Sequence, residues 1–183
     1  MSGDDSGVVQ GVRGLEHVGL TVPDIEQAVR FFVDVLGFEH MYDIGPFVDD
    51  DGSWFGENLN VDVRAVIPRG AVLRCGYGSN LELFEYRSPD QRQQIPRMSD
   101  WGGTHFAYYV DDMPSAVAAL KRHGVRVLGG IKDGMGVEAG EGSTFVHFLA
   151  PWGQLIEFVS FPNGKRYMHG RTRLLWRPTA PAE

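Results

Sequence analysis

Two histidines and two glutamates stand at matching places in the two halves of this 183-residue sequence. His17 and His105 each open an apolar segment, 88 positions apart, while Glu82 and Glu157 each lie within a later segment between apolar neighbours. An isolated carboxylate in such surroundings costs several kcal/mol unless it is paired, hydrogen-bonded or bound to a metal. Two imidazoles and two carboxylates suit Zn, Ni, Co, Mn or Fe(II). The four residues therefore predict a site for one divalent metal ion.

Alternation along a β-strand predicts which way each glutamate points. Glu82 lies on one face of its segment, whereas Leu81, Leu83 and Glu85 lie on the other. If the leucines pack under a helix, Glu82 points into the concave side of the sheet and Glu85 does not. The same alternation directs Glu157 away from its apolar neighbours, so the four side chains are expected to converge.

The repeat extends beyond the four residues. Residues 17–29 and 105–117 are identical at five aligned positions and each predict a strand, a turn and an amphipathic helix. The turns contain Asp24 and Asp112, which are expected to cap the helices that follow. Three segments with a two-residue period come after each helix, so each half predicts a βαβββ module.

These patterns divide the chain into predicted strands and regions. The strands after the helices are expected at residues 61–67, 71–75, 80–86, 125–128, 144–149 and 154–161, with a long loop at 43–60. The regions are a flexible N-terminus (1–13), a first module (14–86), a linker (87–103), a second module (104–162) and a basic tail (163–183). Neither module has enough apolar surface for its own core, so we expect the two to share one.

Composition narrows the classes of function. The net charge of −7 disfavours a nucleic-acid partner, and one cysteine excludes an internal disulfide or a multi-cysteine zinc site. The sequence shows no signal-peptide pattern and no apolar run of about 18 residues, so we expect a cytoplasmic protein without membrane contact. Residues 161–183 carry a net charge of +4 and the rest −11, which favours a tail that docks on its own body or on a partner subunit.

Several motifs resemble one family. Residues 15–24 (LEHVGLTVPD), 31–38 (FFVDVLGF), 105–112 and 148–157 are similar to those of the vicinal oxygen chelate superfamily, which includes glyoxalases, bleomycin resistance proteins and extradiol dioxygenases. The chain departs from the family's common Asp-Pro-Asp-Gly turn, where it has residues 150–153 (APWG). The resemblance implies an α+β fold in which paired βαβββ modules form an incurved, barrel-like mixed sheet around a metal.

The favoured function is a metal-dependent lyase or isomerase of the glyoxalase I or epimerase type. In this hypothesis the metal chelates two adjacent oxygens of a small-molecule substrate, lowers the pKa of a neighbouring C–H and stabilises the enolate. Glu157 or Glu82 then moves the proton as the general base.

Two other functions stay open. An extradiol-type Fe(II) dioxygenase would use His17, His105 and Glu157, although no histidine lies between residues 41 and 104 to act as its acid–base group. A non-catalytic, antibiotic-sequestering protein is the third possibility, but retention of all four ligands argues against it.

The remaining predictions concern the substrate and assembly. His147 and Tyr109 are candidate substrate-binding residues, because His147 lies on the strand before Glu157 and Tyr109 shares its strand face with His105. The 17-residue linker spans enough distance, at about 3.3 Å per residue, to build the site within one chain or across two. We expect a homodimer.

Overall fold

The computed structural model describes residue 9, residues 11–51 and residues 53–178. The predicted flexible N-terminus therefore falls mostly outside the described residues. The described part contains nine strands: β1 (His17–Thr21), β2 (Glu39–Ile44), β3 (Phe47–Val48), β4 (Val66–Arg74), β5 (Asn80–Arg87), β6 (His105–Tyr109), β7 (Arg126–Asp133), β8 (Thr144–Leu149) and β9 (Leu155–Ser160). The α-helices described are α1 (Ile25–Arg30), α2 (Ser53–Leu59) and α3 (Met113–Arg122). No helix in these ranges is both long and apolar enough to cross a membrane.

The two equivalent helices begin as the sequence predicts. A carboxylate oxygen of Asp24 accepts a hydrogen bond from the backbone N–H of Gln27 at 2.9 Å, and Asp112 accepts one from Ser115 at 3.0 Å. These bonds satisfy backbone donors that have no partner inside the helix. Helix α1 continues directly into a π-helical turn, Phe31–Val35. The predicted role of both aspartates as N-caps is confirmed.

Each half forms its own sheet. The strand order is β1-β5-β4-β2 in the first sheet, with β3 paired to β4, and β6-β9-β8-β7 in the second. In both sheets the opening strand runs parallel to the closing strand, β1 with β5 and β6 with β9. The α+β class and the duplicated βαβββ arrangement are confirmed, while the described strands do not close into a barrel.

The elements predicted in the first half are wrong in three places. The two strands expected at 61–67 and 71–75 form one strand, β4, which begins only at Val66 and continues through Pro68 to Arg74, because a bulge accommodates the proline. Strand β2 was not predicted, since it carries exposed polar side chains at the edge of its sheet. Helix α2 occupies part of the expected loop. In the second half, β7 continues five residues beyond its expected end at residue 128.

One hydrophobic core joins the halves. It includes Leu81 and Leu83 from the first sheet and Ile156 from the second. Aromatic side chains also cross the boundary: the rings of Phe38 and Tyr108 meet edge to face at 5.1 Å between centroids. The helix-covered faces of the two sheets therefore share a core, as the sequence predicts.

The insertion between β2 and β4 covers part of the opposite face of the first sheet. Phe55 of helix α2 is buried with Ala65 and Ile67 in a small second cluster. Phe84 and Tyr86, which follow Glu82 on the same strand face, pack against this cluster. The insertion thus forms one wall beside Glu82.

The start of the basic tail docks on its own module. The backbone N–H of Arg166 donates to the carbonyl of Ala139 at 2.7 Å, and the ammonium of Lys165 pairs with Glu138. Lys165 also lies 4.6 Å above the ring centre of Phe161. Further along, Trp176 is largely exposed.

Candidate functional site

The first pair of predicted ligands lies on neighbouring parallel strands. His17 on β1 is in register with Asn80 on β5. Asn80 lies two residues before Glu82, so His17 and Glu82 are diagonal neighbours on the same face of the sheet. Nε2 of His17 lies 3.3 Å from Oε2 of Glu82, and the two side chains are 46% and 27% exposed. This pair faces solvent in the single chain.

The second pair repeats this arrangement. His105 on β6 is in register with Leu155 on β9, which again lies two residues before the glutamate. Nε2 of His105 lies 3.2 Å from Oε2 of Glu157, and the side chains are 35% and 14% exposed. The duplicated sequence therefore yields a duplicated pair with nearly the same separation.

The two pairs lie on the faces turned away from the shared core. Along β5 the side chains alternate, so that Leu81 and Leu83 enter the core while Glu82 points to the other side. Glu85 confirms the alternation, because its carboxylate lies on the helix side, 3.3 Å from the backbone nitrogen of Ile25. Donor atoms of all four predicted ligands do not come within 4.8 Å of one another in the described chain. The expectation that they converge is therefore not met by one chain alone.

His147 joins the second pair. It lies on β8 directly opposite Glu157 on β9, and its Nε2 is 3.7 Å from Oε1 of that glutamate. Its ring centre is 5.9 Å from that of His105. His105, His147 and Glu157 each offer one donor atom within 4.8 Å of the others, and no other such group occurs in the described ranges.

The position of His147 could have been found in the sequence. His147 and Glu157 lie at equal distances on either side of Trp152, the centre of the Pro151–Gly153 turn. An antiparallel hairpin centred there pairs them across the strands. The sequence predicts His147 as a substrate contact, whereas the register places it opposite Glu157.

Glu16 is a site residue that sequence reasoning missed. Its Oε2 lies 2.5 Å from Nδ1 of His17, and its Oε1 accepts a hydrogen bond from the side-chain amide of Asn80 at 2.9 Å. The hydrogen bond between His17 and Glu16, followed by the charge of Glu82, raises the pKa of His17. With the proton on Nδ1, the lone pair of Nε2 is directed to the side of Glu82, the arrangement typical of a histidine ligand oriented by a carboxylate.

Tyr109 lies at the margin of the second pair. It is half-buried, and its ring meets Phe161 edge to face at 5.0 Å between centroids. It occupies the same strand face as His105, two alternations further along. Its predicted contact with substrate stays a prediction.

The donor set fits a divalent transition metal. Imidazole nitrogens and carboxylate oxygens are the ligands that Zn²⁺, Mn²⁺, Co²⁺, Ni²⁺ and Fe²⁺ share. Both histidines of the two pairs direct Nε2 toward a glutamate oxygen at little more than 3 Å. A metal ion would replace that contact by bonds to both side chains.

The sequence matches the family model for the glyoxalase/bleomycin resistance protein/dioxygenase superfamily over residues 16–148. The chain belongs to this superfamily. Its relatives include a 2-epi-5-epi-valiolone epimerase from an Actinomyces species, which is 42% identical over 174 residues that cover 93% of this chain and 91% of the relative. The predicted family and the prediction of an enzyme are confirmed.

Solved structures confirm the fold. A glyoxalase family protein from Bacillus cereus superposes with a TM-score of 0.63 at 19% identity, covering 82% of this chain and 95% of the other. Glyoxalase I of Leishmania major gives a TM-score of 0.53 at 18% identity and covers 81% of this chain and 87% of its own.

Proposed function

We propose that this protein is a metal-dependent epimerase acting on 2-epi-5-epi-valiolone or a related cyclic hydroxyketone. The observation that carries the proposal is the 42% identity to a 2-epi-5-epi-valiolone epimerase over nearly the full length of both chains. The duplicated His–Glu pairs supply the polar groups that such a reaction requires. A ketone with a neighbouring hydroxyl also presents the two adjacent oxygens expected of the substrate.

Epimerisation at a carbon next to a carbonyl removes a proton from one face and returns one to the other. A bound divalent metal ion would polarise the substrate oxygens and make this C–H more acidic. Glu157 is the candidate base, because it is the least exposed of the four residues and lies beside two imidazoles. Glu82 is the candidate for the opposite proton transfer, since the repeat gives it the equivalent place in the other half.

We further propose that the complete site forms in a homodimer. Each chain exposes its two pairs on faces opposite the shared core. If the first-half pair of one protomer faces the second-half pair of its partner, four donors surround one ion and a dimer contains two such sites. The exposed apolar residues of the tail, Leu174, Leu175 and Trp176, are further candidates for contact with the partner.

The test is solvent exchange during turnover. We expect the metal-loaded protein to interconvert 2-epi-5-epi-valiolone and its epimer in D2O, with deuterium appearing at the inverted carbon by NMR. Glu157→Gln should abolish both epimerisation and exchange, whereas Glu138→Gln, a glutamate that pairs with Lys165 instead, should preserve them. Absence of epimerisation with every divalent metal offered, or O2 consumption with a catechol at turnover-competent rates, would overturn the proposal.

A further inference from the structure

We infer that His147 is a metal ligand and that His105, His147 and Glu157 together form a three-donor metal site within one chain. This inference rests on the metal dependence proposed above. It adds a fifth donor to the four residues that the internal repeat supplies, and it places three of the five in the second half of the chain.

The geometry of three adjacent strands supports this site. Strand β9 lies between β6 and β8, so Glu157 has a histidine on each side. Oε2 of Glu157 is 3.2 Å from Nε2 of His105, and Oε1 is 3.7 Å from Nε2 of His147. The two histidines thus approach different oxygens of one carboxylate with the same ring nitrogen. Two imidazoles and a carboxylate on one face are a recognised set for divalent transition metals.

The histidine is only part-exposed and lies among aromatic neighbours. The side chain of His147 is 32% exposed, and its ring meets Phe145 edge to face at 5.7 Å between centroids. With the ring of His105 on another side at 5.9 Å, the imidazole is held close to Glu157 rather than extended into solvent. A ligand that is already held in place loses less conformational entropy when it binds.

The matching place in the first sheet is occupied by Val72, which offers no donor atom. Val72 pairs with Glu82 across β4 and β5, as His147 pairs with Glu157 across β8 and β9. The repeat therefore offers two donors in the first sheet and three in the second. This difference assigns primary metal binding to the second half, with the pair His17 and Glu82 completing the coordination.

The extra donor also bears on proton transfer. If Glu157 accepts a proton from substrate, its affinity for a cation falls. With His147 present, the second half would still hold the ion through two imidazoles, whereas without it the second half would contribute only His105. His147 would thus allow Glu157 to act as a base without release of the ion.

The experiment measures metal affinity rather than activity. Zn²⁺ is titrated calorimetrically into the full-length metal-free protein, and the spectrum of the Co²⁺ form reports the ligand set. His147→Val, which copies the residue at the matching place in the first half, should lower the Zn²⁺ affinity by at least about tenfold, the lower end of the loss seen even for outer-shell partners. His123→Val is the matched control, because His123 is exposed at the C-terminal end of α3 and should bind no ion in the site.

A second set of variants measures metal binding by the second half of the chain without the donors of the first half. The double variant His17→Ala/Glu82→Ala should still bind one Zn²⁺ per chain with reduced affinity, and addition of His147→Val should reduce that affinity at least about tenfold more. Circular dichroism confirms that each variant is folded.

The outcomes distinguish the two proposals. If wild type binds Zn²⁺ and His147→Val binds it equally well with an unchanged Co²⁺ spectrum, His147 is not a ligand, although metal dependence stands. If wild type binds none of Zn²⁺, Co²⁺, Ni²⁺, Mn²⁺ or Fe²⁺, the proposed metal-dependent function fails and the three-donor site fails with it.

Discussion

His17 and Glu16 are joined by a 2.5 Å contact between Nδ1 of the imidazole and Oε2 of the carboxylate. The second half has no such pair, because Thr104 precedes His105 at the corresponding place. A charge-assisted hydrogen bond of this kind favours the protonated ring and, in the neutral ring, keeps the proton on Nδ1. The two equivalent histidines are therefore supported differently.

Replacement of Glu16 should change the titration of His17. We expect Glu16→Gln to lower the pKa of His17 in the metal-free protein, because the variant replaces the charged acceptor of the hydrogen bond that contributes most to raising it with a neutral amide oxygen. The measurement is an NMR titration of the ring nitrogens. Glu26→Gln removes an exposed carboxylate that pairs with Arg69 instead and should leave the titration midpoint of His17 unchanged. Equal midpoints in wild type and Glu16→Gln would contradict this role.

The raised pKa of His17 also determines the direction in which the proposed metal binding should change with pH. Metal ions bind the unprotonated ring, so protons compete with the ion below the pKa of His17. The contribution of His17 to metal affinity should therefore grow as the pH rises through that pKa. Because Glu16→Gln should lower the pKa of His17, the increase in metal affinity should occur at lower pH in the variant than in wild type. Calorimetric titrations across the pH range measure this difference.

Metal content should depend on both halves of the chain. We expect Glu82→Ala and His105→Ala each to reduce the metal retained after dialysis sharply while the circular dichroism spectrum stays native. Glu85→Ala is the matched control on the same strand, since Glu85 lies on the helix side near Ile25. Full metal content in both test variants, measured by elemental analysis, would show that the ligand assignment is wrong.

The composition of each His–Glu pair follows from the sequence, whereas the position of the two pairs relative to each other does not. Strand alternation is sufficient to place Glu82 and Glu85 on opposite faces, and the repeat is sufficient to pair each histidine with its glutamate. Whether the two pairs meet within a chain depends on which faces the sheets bury against each other. The alternating apolar residues of both sheets fit either arrangement equally well, and the 17-residue linker is long enough for both.

Strand β2 and the contact between His147 and Glu157 are absent from the sequence prediction for a similar physical reason. Strand β2 is held by backbone pairing to β4 at a sheet edge, where exposed side chains such as Met41 and Tyr42 carry no burial pattern. The proximity of His147 to Glu157 likewise depends on hairpin register rather than on residue type. Backbone pairing of this kind leaves little trace in hydrophobic periodicity.

Cys75 should be unreactive in the native protein. Burial raises the pKa of its thiol to about 11, so that only about one thiol in a thousand is ionised at pH 8. We expect slow reaction with an aromatic disulfide reagent in the native state and rapid reaction in urea. Immediate reaction without denaturant would contradict the suppressed ionisation that the partial burial of Cys75 implies.

The two capping aspartates should affect stability without affecting the site. Asp24→Ala and Asp112→Ala each remove a carboxylate that accepts from a backbone N–H of the first helical turn. We expect each variant to lower the free energy of unfolding by about 1 kcal/mol in urea titrations. The proposed metal binding and epimerase activity should be preserved, because both caps lie outside the His–Glu pairs. A loss of metal binding in folded Asp112→Ala would show that the caps also position the ligands.

The basic tail should contribute to assembly through its distal part. Residues near Lys165 and Arg166 are fixed to the loop that contains Glu138 and Ala139, whereas Leu175 and Trp176 expose most of their apolar surface. Aromatic and apolar side chains of this kind are frequent anchors at protein interfaces. We expect light scattering to show a dimer for the full chain and a dissociated, monomeric species for a chain that ends at residue 161.

A second truncation separates docking on the body from contact with the partner. A chain that ends after Gly170 keeps the contacts of Lys165 and Arg166 but lacks Leu175 and Trp176. If the distal residues contact the partner, this shorter tail should dissociate as readily as the chain that ends at residue 161. An unchanged dimer mass in both truncated chains, or a monomeric full-length chain, would remove the tail from the interface. The pairing of His17 with Glu82 and of His105 with Glu157 would be unaffected, because it depends on the repeat within each sheet.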